Sequence, residues 1–205
     1  MQSHSPVQIP ELALPKGGGA LHGLGDAVGI TGVSGVATLS VPLPVSAGRG
    51  FSPGLALQYS SGAGNGLFGI GWGLPLPAIS RETVYGVPRY TPEDTLLGPG
   101  GERLVAERDE RGQLICVPAT AHPRCTVATA HHVQRYFAHT EGTFNRIECW
   151  TPDAGGASFW LVQAADGTLH QYGRTSQARI ADPAHPDSHI AQWLLEASLS
   201  VNGEQ

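Results

Sequence analysis

Charge is scarce in this chain of 205 residues: Asp, Glu, Lys and Arg make up 14% of it, against roughly 25% in ordinary soluble domains. The 12 basic and 17 acidic side chains leave a formal net charge of -5, and no window gathers Lys or Arg. That excludes the concentrated basic face a nucleic-acid partner requires. Apolar runs are short too, none approaching the ~18 residues that cross a bilayer. The first residues show neither the basic nor the apolar region of a signal peptide. Three cysteines, Cys116, Cys125 and Cys149, form an odd set without close spacing, which argues against a disulfide framework or a zinc site. Cys116 and Cys149 sit in strand-like runs, where small buried thiols are expected.

What the chain has instead is turn chemistry. It carries 28 glycines and 16 prolines, spread among short apolar runs, the texture of many strands joined by tight turns. Residues 1–34 are glycine-rich and aperiodic and are expected to lie extended; 35–205 read as one β domain. Over 36–45, Leu39, Val41, Leu43 and Val45 alternate with Ser40, Pro42 and Pro44. Residues two apart direct their amides to one lateral side, so the two prolines strip donors from one edge, and an edge strand is predicted. Pro75 and Pro77 repeat the arrangement. A strand over 53–60 with Leu55, Leu57 and Tyr59 on one face would return as a hairpin across 46–50.

Three further hairpins are predicted: 104–108 with 113–117 around Asp109 to Gly112, 132–138 with 144–150, and 159–163 with 168–172. The last turns on Asp166-Gly167, the strongest short hairpin signal in the chain. Residues 190–201 fit two periods. Trp193, Leu195, Ala197, Leu199 and Val201 alternate as a strand, while Ile190, Trp193, Leu194, Ala197 and Val201 share a helical face. Ser198, Ser200 and Val201 favour the strand. An Asn-Gly pair then opens a turn with no partner strand behind it, the mark of a domain cut at its C-terminus.

Gly64-Asn-Gly66-Leu-Phe-Gly69 matches the dinucleotide fingerprint, but that site needs a helix to begin there. Gly71, Gly73, Pro75 and Pro77 forbid one. The stretch reads as a glycine corner in which Phe68 and Trp72 supply buried area. His131 and His132 are adjacent and point to opposite faces. His185 and His189 are four apart, but Pro183 and Pro186 preclude a helix, and no carboxylate completes a metal site, so surface histidines are expected. No G-x-S-x-G and no Glu-x-Glu occurs, and Glu93, Asp94, Glu107, Asp109 and Glu110 are expected on solvated turns or strand faces. No catalytic, cofactor-binding or metal residue is assigned.

Seven stretches in order carry a resemblance: Leu14-Pro-Lys-Gly-Gly-Gly19, Leu39-Ser-Val-Pro-Leu-Pro44, Gly62-Ala-Gly-Asn-Gly66 running into Phe68-Gly-Ile-Gly-Trp72, Pro88-Arg-Tyr90, Arg146-Ile-Glu-Cys-Trp-Thr-Pro152, Ala178-Arg-Ile-Ala-Asp-Pro183 and Trp193-Leu-Leu-Glu196. From about residue 11 onward the chain resembles the N-terminal domain shared by the Salmonella virulence plasmid B proteins (SpvB) and the B components of insecticidal Tc toxins, to which Rhs-type proteins are related. The resemblance implies a structural role. Tc B and C components build a hollow β-shell around a cytotoxic polypeptide, and a B-component propeller docks onto the pore-forming A component. In SpvB a separate C-terminal domain ADP-ribosylates actin, through a Glu-x-Glu signature that this sequence lacks.

The expectation is therefore an all-β fold of antiparallel hairpins and meander, part of a larger β-shell, without enzymatic activity, cofactor or small-molecule substrate. Its partners would be the remainder of its own polypeptide and a Tc C-type or A-type subunit. It would be assembled in the bacterial cytoplasm and released without a signal peptide, and alone it would be poorly stable. The alternative is a β-sandwich that recognises carbohydrate or protein on a cell surface. It requires exposed aromatics, whereas Trp72, Trp150, Trp160 and Trp193 are predicted to be buried. A hydrolase with carboxylates on distant strands is a third possibility.

Overall fold

The computed structural model describes residues 29–30, 35–45 and 54–202. The extended segment expected over 1–34 and the turn at 46–50 fall almost wholly outside them. Every strand pairing is antiparallel. Apart from one 3-10 turn at Ser176–Ala178 the described elements are strands, as the turn-rich composition predicts.

The N-terminal part is a four-stranded sheet of β1 (Gly29–Ile30), β2 (Ala37–Pro42), β3 (Ala56–Ser60) and β6 (Trp72–Gly73), in that order. The predicted 36–45/53–60 hairpin is β2 with β3, Leu39 opposite Tyr59. β2 is not an edge strand at its start, where Ala37 and Thr38 pair with β1. Beyond Thr38, the pairing on that side of β2 lies outside the described residues. The Leu43 N–H donates to Leu55 and the Ser61 N–H to Ala37, so odd residues face β3. Pro42 and Pro44 therefore face the other side. Pro75 and Pro77 do not repeat this arrangement: 74–77 is irregular, and the Pro77 carbonyl accepts the Leu195 N–H at 3.0 Å.

The G-x-G-x-x-G stretch is a two-stranded corner, β4 (Asn65–Gly66) with β5 (Gly69–Ile70), and no helix follows. Gly71 has φ +79°, and a Cβ there would stand 2.5 Å from the Tyr59 ring. Tyr59 in turn lies 5.3 Å from Trp72. The corner is thus pinned by Tyr59 and Trp72. Phe68, expected inside, is 50% exposed, and its neighbours Leu67 and Ile70 are exposed as well, because the hairpin tip projects.

The second unit is a barrel. β7 (Ala78–Arg81), β8 (Leu96–Leu97), β9 (Arg103–Ala106), β11 (His131–Ala138), β12 (Arg146–Pro152), β13 (Phe159–Gln163), β14 (Leu169–Tyr172) and β16 (Ile190–Leu199) each pair with the next, and β16 pairs back to β7. These eight strands form a closed ring. β11–β12 and β13–β14 are the predicted hairpins. In the latter turn Gly167 takes φ +85° and Asp166 accepts the Thr168 N–H at 2.8 Å. The predicted hairpin around Asp109 is different. Its inner end forms: Arg108 and Leu114 bridge, and the Asp109 N–H donates to Gln113 and the Ile115 N–H to Glu107; beyond it β9 and β10 (Cys116–Ala119) lie end to end along the same side of β11. Likewise β14 and β15 (Arg179–Ala181) lie end to end along β16.

Burial follows the alternation and splits into two clusters. Ile79, Leu96, Leu104, Ile147, Trp160, Val162, Tyr172, Ile190 and Trp193 fill the interior. Val133, Trp150, Phe159, Leu161 and Leu169 form a second cluster with Ala119, Cys125 and Val127, on the outer wall beneath the segment 119–127. β13 is consequently buried on both faces, from Phe159 through Val162, which is why it reads as a continuous apolar run. β16 is a strand throughout, but register shifts opposite Ala181 and Tyr172 add residues to it. These bulges turn Ile190, Trp193 and Leu195 inward and Leu199 outward, so neither simple period holds.

Candidate functional site: the plugged mouth and the strapped wall

One mouth of the barrel is closed by an ionic plug. Arg81 follows Ile79 on the inner face of β7, and its guanidinium donates to the Ile190 carbonyl at 3.0 Å and to Asp94 Oδ2 at 2.9 Å. It lies 5.4 Å from the Tyr90 ring and 5.7 Å from the Trp193 ring. Asp94 also accepts the backbone N–H groups of Arg89 at 3.1 Å and Tyr90 at 2.7 Å. Desolvation would raise the Asp94 pKa, but these two amides and the Arg81 charge outweigh it and hold the carboxyl below its usual range. Asp94 was expected on a solvated turn; its side chain is instead largely buried, because the loop after β7 folds back over the mouth.

Tyr90 stacks on His189 at 4.5 Å with a 10° interplanar angle. His189 and His185 both approach Asp182, so a carboxylate does meet the histidine pair, contrary to the sequence reading. No helix is needed: the Asp182 N–H donates to the His189 carbonyl at 3.0 Å, folding the turn back on itself.

On the outer wall, the segment between β10 and β11 is a strap. Arg124 donates to the carbonyls of Gly167, Leu199 (3.2 Å) and Ser200 (2.6 Å), and Arg174 donates to Thr126. Under the strap His122 meets Trp150 edge-on at 5.6 Å, and His131 meets Phe159 at 5.6 Å. Burial lowers the His122 pKa. A cleft of about 600 Å³ opens here, floored by Val133 and Trp150 and rimmed by Arg135, Arg146 and Glu148. Glu148 is buried, and both its oxygens carry donors, Arg146 Nε at 2.5 Å and Trp150 Nε1 at 3.2 Å. The two donors hold the carboxylate in place. Glu148 carries no local motif; only the register, which sets Arg135 directly opposite it, reveals the cluster.

His131 is buried and His132 exposed, on opposite faces as expected. Trp150, Trp160 and Trp193 are buried, whereas Trp72 is half-buried. Cys149 is inside, and burial pushes its thiol up to about 12. Cys116, expected inside, is exposed, since its strand only flanks β11. No helix of the described residues is long and apolar enough to cross a membrane.

A filled antiparallel barrel with a plugged mouth and a strapped wall, beside a small glycine-cornered sheet, defines a structural β-module. Residues 31–205 match the family described as Salmonella virulence plasmid 65kDa B protein, SpvB, and the chain belongs to that family. It is 43% identical over 192 residues to the mono(ADP-ribosyl)transferase SpvB of Salmonella choleraesuis, covering 94% of this chain and 31% of the relative. It thus spans about a third of the length of the curated relatives it matches. Among solved structures, the N-terminal domain of effector protein SpvB from Salmonella typhimurium LT2 is 43% identical with a TM-score of 0.71, over 78% of this chain and 50% of that one. TcdB2-TccC3 is 44% identical with a TM-score of 0.78, over 97% of this chain and 9% of that one. A Tc holotoxin pore of Photorhabdus luminescens matches similarly, at 43% identity and a TM-score of 0.76, over 98% of this chain and 9% of that one. The chain is a structural module of toxin-type proteins.

Proposed function

We propose that the chain is the non-catalytic N-terminal structural module of an SpvB/Tc B-type virulence protein, contributing to the β-shell that encloses or supports a toxic C-terminal effector. The observation that carries this reading is the filled barrel. Trp160, Trp193 and Tyr172 occupy its interior, so it serves as a solid post in a wall. The likeness to TcdB2-TccC3 along nearly the whole chain supports the same reading. Its partners are the rest of its own polypeptide and a C-type or A-type subunit. It is assembled in the bacterial cytoplasm and released from the cell.

The test is twofold. The 205-residue chain, incubated with NAD and actin, is expected to transfer no ADP-ribose, and detectable transfer overturns the non-catalytic part. In a full-length B-type protein, removing residues 78–199 is expected to abolish co-purification with its C-type subunit, and unchanged assembly overturns the shell role.

A further inference from the structure

Three side chains meet on the turn between β15 and β16. Asp182 Oδ2 lies 3.3 Å from His185 Nδ1 and 3.5 Å from His189 Nδ1, and one ligand atom from each of the three residues falls within 4.8 Å of the others. Two donors bound at about 2.1 Å to one tetrahedral zinc ion stand about 3.4 Å apart. Both measured separations match such an edge.

The backbone holds the three in place. The Asp182 N–H donates to the His189 carbonyl at 3.0 Å, the His185 N–H to the Asp182 carbonyl at 3.0 Å, and the His189 N–H to the His185 carbonyl at 2.9 Å. Asp182 Oδ1 accepts the Ala184 N–H at 2.9 Å, which turns Oδ2 toward the two imidazoles. The His189 ring is fixed by its stack on Tyr90. His185 Nδ1 is within hydrogen-bond reach of Asp182 Oδ2 at 3.3 Å and His189 Nδ1 approaches the same oxygen, while the two imidazole rings lie 4.5 Å apart, so both rings turn a nitrogen toward one carboxylate oxygen.

We propose that Asp182, His185 and His189 bind a divalent transition-metal ion. Two imidazoles and one carboxylate suit Zn²⁺ and disfavour Mg²⁺ and Ca²⁺, which take oxygen donors. The Ala184 N–H, followed by the His185 ring, holds the Asp182 carboxyl below its usual range, so it is an anion at neutral pH. The side chains of Asp182, His185 and His189 are 40%, 57% and 37% exposed, so water reaches the ion and supplies the remaining coordination. Bound metal would clamp the β15–β16 turn and, through Tyr90, the loop that plugs the barrel mouth.

The test is Zn²⁺ uptake by the 205-residue chain, measured in competition with a chromophoric chelator. The expected result is one saturable site. His185→Gln and His189→Gln should each weaken it at least about tenfold, since loss of a mere supporting partner already costs 10–100-fold, and the double variant should abolish it. Co²⁺ should give the visible absorption of a tetrahedral ion, again absent from the double variant. His132→Gln, which breaks the two-group contact with Asp153 at 3.0 Å, should leave uptake unchanged. Near-UV circular dichroism of the buried tryptophans separates a lost ligand from a lost fold. Failure of the parent chain to saturate at millimolar Zn²⁺, or equal affinity in the double variant, overturns the proposal.

Discussion

The barrel and the N-terminal sheet share one vocabulary of short alternating strands, glycines and prolines, yet they bury very different amounts. β13 places four consecutive residues, Phe159 to Val162, out of contact with water, each stabilising the fold by ~1.5–3 kcal/mol. β2 alternates just as regularly, yet its inward residues reach only partial burial. The strands of the N-terminal sheet make their main contacts with one another. Alternation says which face is offered for burial, and closure decides whether anything covers it. The barrel covers its own faces by curling and by its strap. Among the described residues, the inward face of the sheet stays only partly buried.

The sharpest way to break this comparison is to truncate one anchor in each unit. Trp193→Ala empties the barrel core and should cost ~4 kcal/mol in denaturant unfolding, whereas Tyr59→Ala in the half-covered sheet should cost ~1 kcal/mol. Equal losses would erase the distinction. Next comes Gly173→Ala. Gly173 has φ +65°, and a Cβ there would stand 2.4 Å from the Trp193 ring, so we expect a loss of ~2–3 kcal/mol, read as a lowered Tm.

Acid should act on the barrel through Asp94. Its folded pKa is depressed, so the stability it supplies is present above its unfolded pKa of about 3.9 and is lost as pH falls through the lower folded value. Asp94→Asn should therefore unfold more easily at pH 7, and the gap from the parent should shrink on acidification below about pH 4. A gap constant with pH would contradict this. The smallest effect concerns indole N–H groups. Trp193 Nε1 donates to Ser158 at 2.9 Å, whereas Trp160 Nε1 is buried without a partner. Trp160→Phe should therefore be the milder change, by ~1 kcal/mol, in paired urea titrations.

Local signals in the sequence carried a good part of the fold. Asp166-Gly167 marked its turn, and the alternation over 131–138 and 146–152 marked the longest hairpin. Both are short-range facts of backbone and side-chain period. The barrel was not legible, because its closure rests on pairings between residues far apart, such as Trp193 with Ile79 and Phe137 with Val105. The turn at Asp109 forms and pairs 107–109 with 113–115, but the flanking strands then part for a related reason: β11 takes up the backbone of both. The bulges in β16 explain why Ile190 to Val201 fitted two periods at once. At the plug, Pro183 and Pro186 correctly excluded a helix. A chain reversal also brings residues three and four apart together, and so gathers Asp182, His185 and His189.

The end-to-end strands along β11 and β16 have a further implication. The girth of the tube is fixed by the hydrogen-bonded rails that those two long strands provide, and the chain leaves each rail and rejoins it further along. Residues 107–115 and 173–178 are such detours. Extra length inserted there would grow outward as decoration while the tube kept its circumference, so members of this architecture can vary their outer relief at these two points without rebuilding the wall.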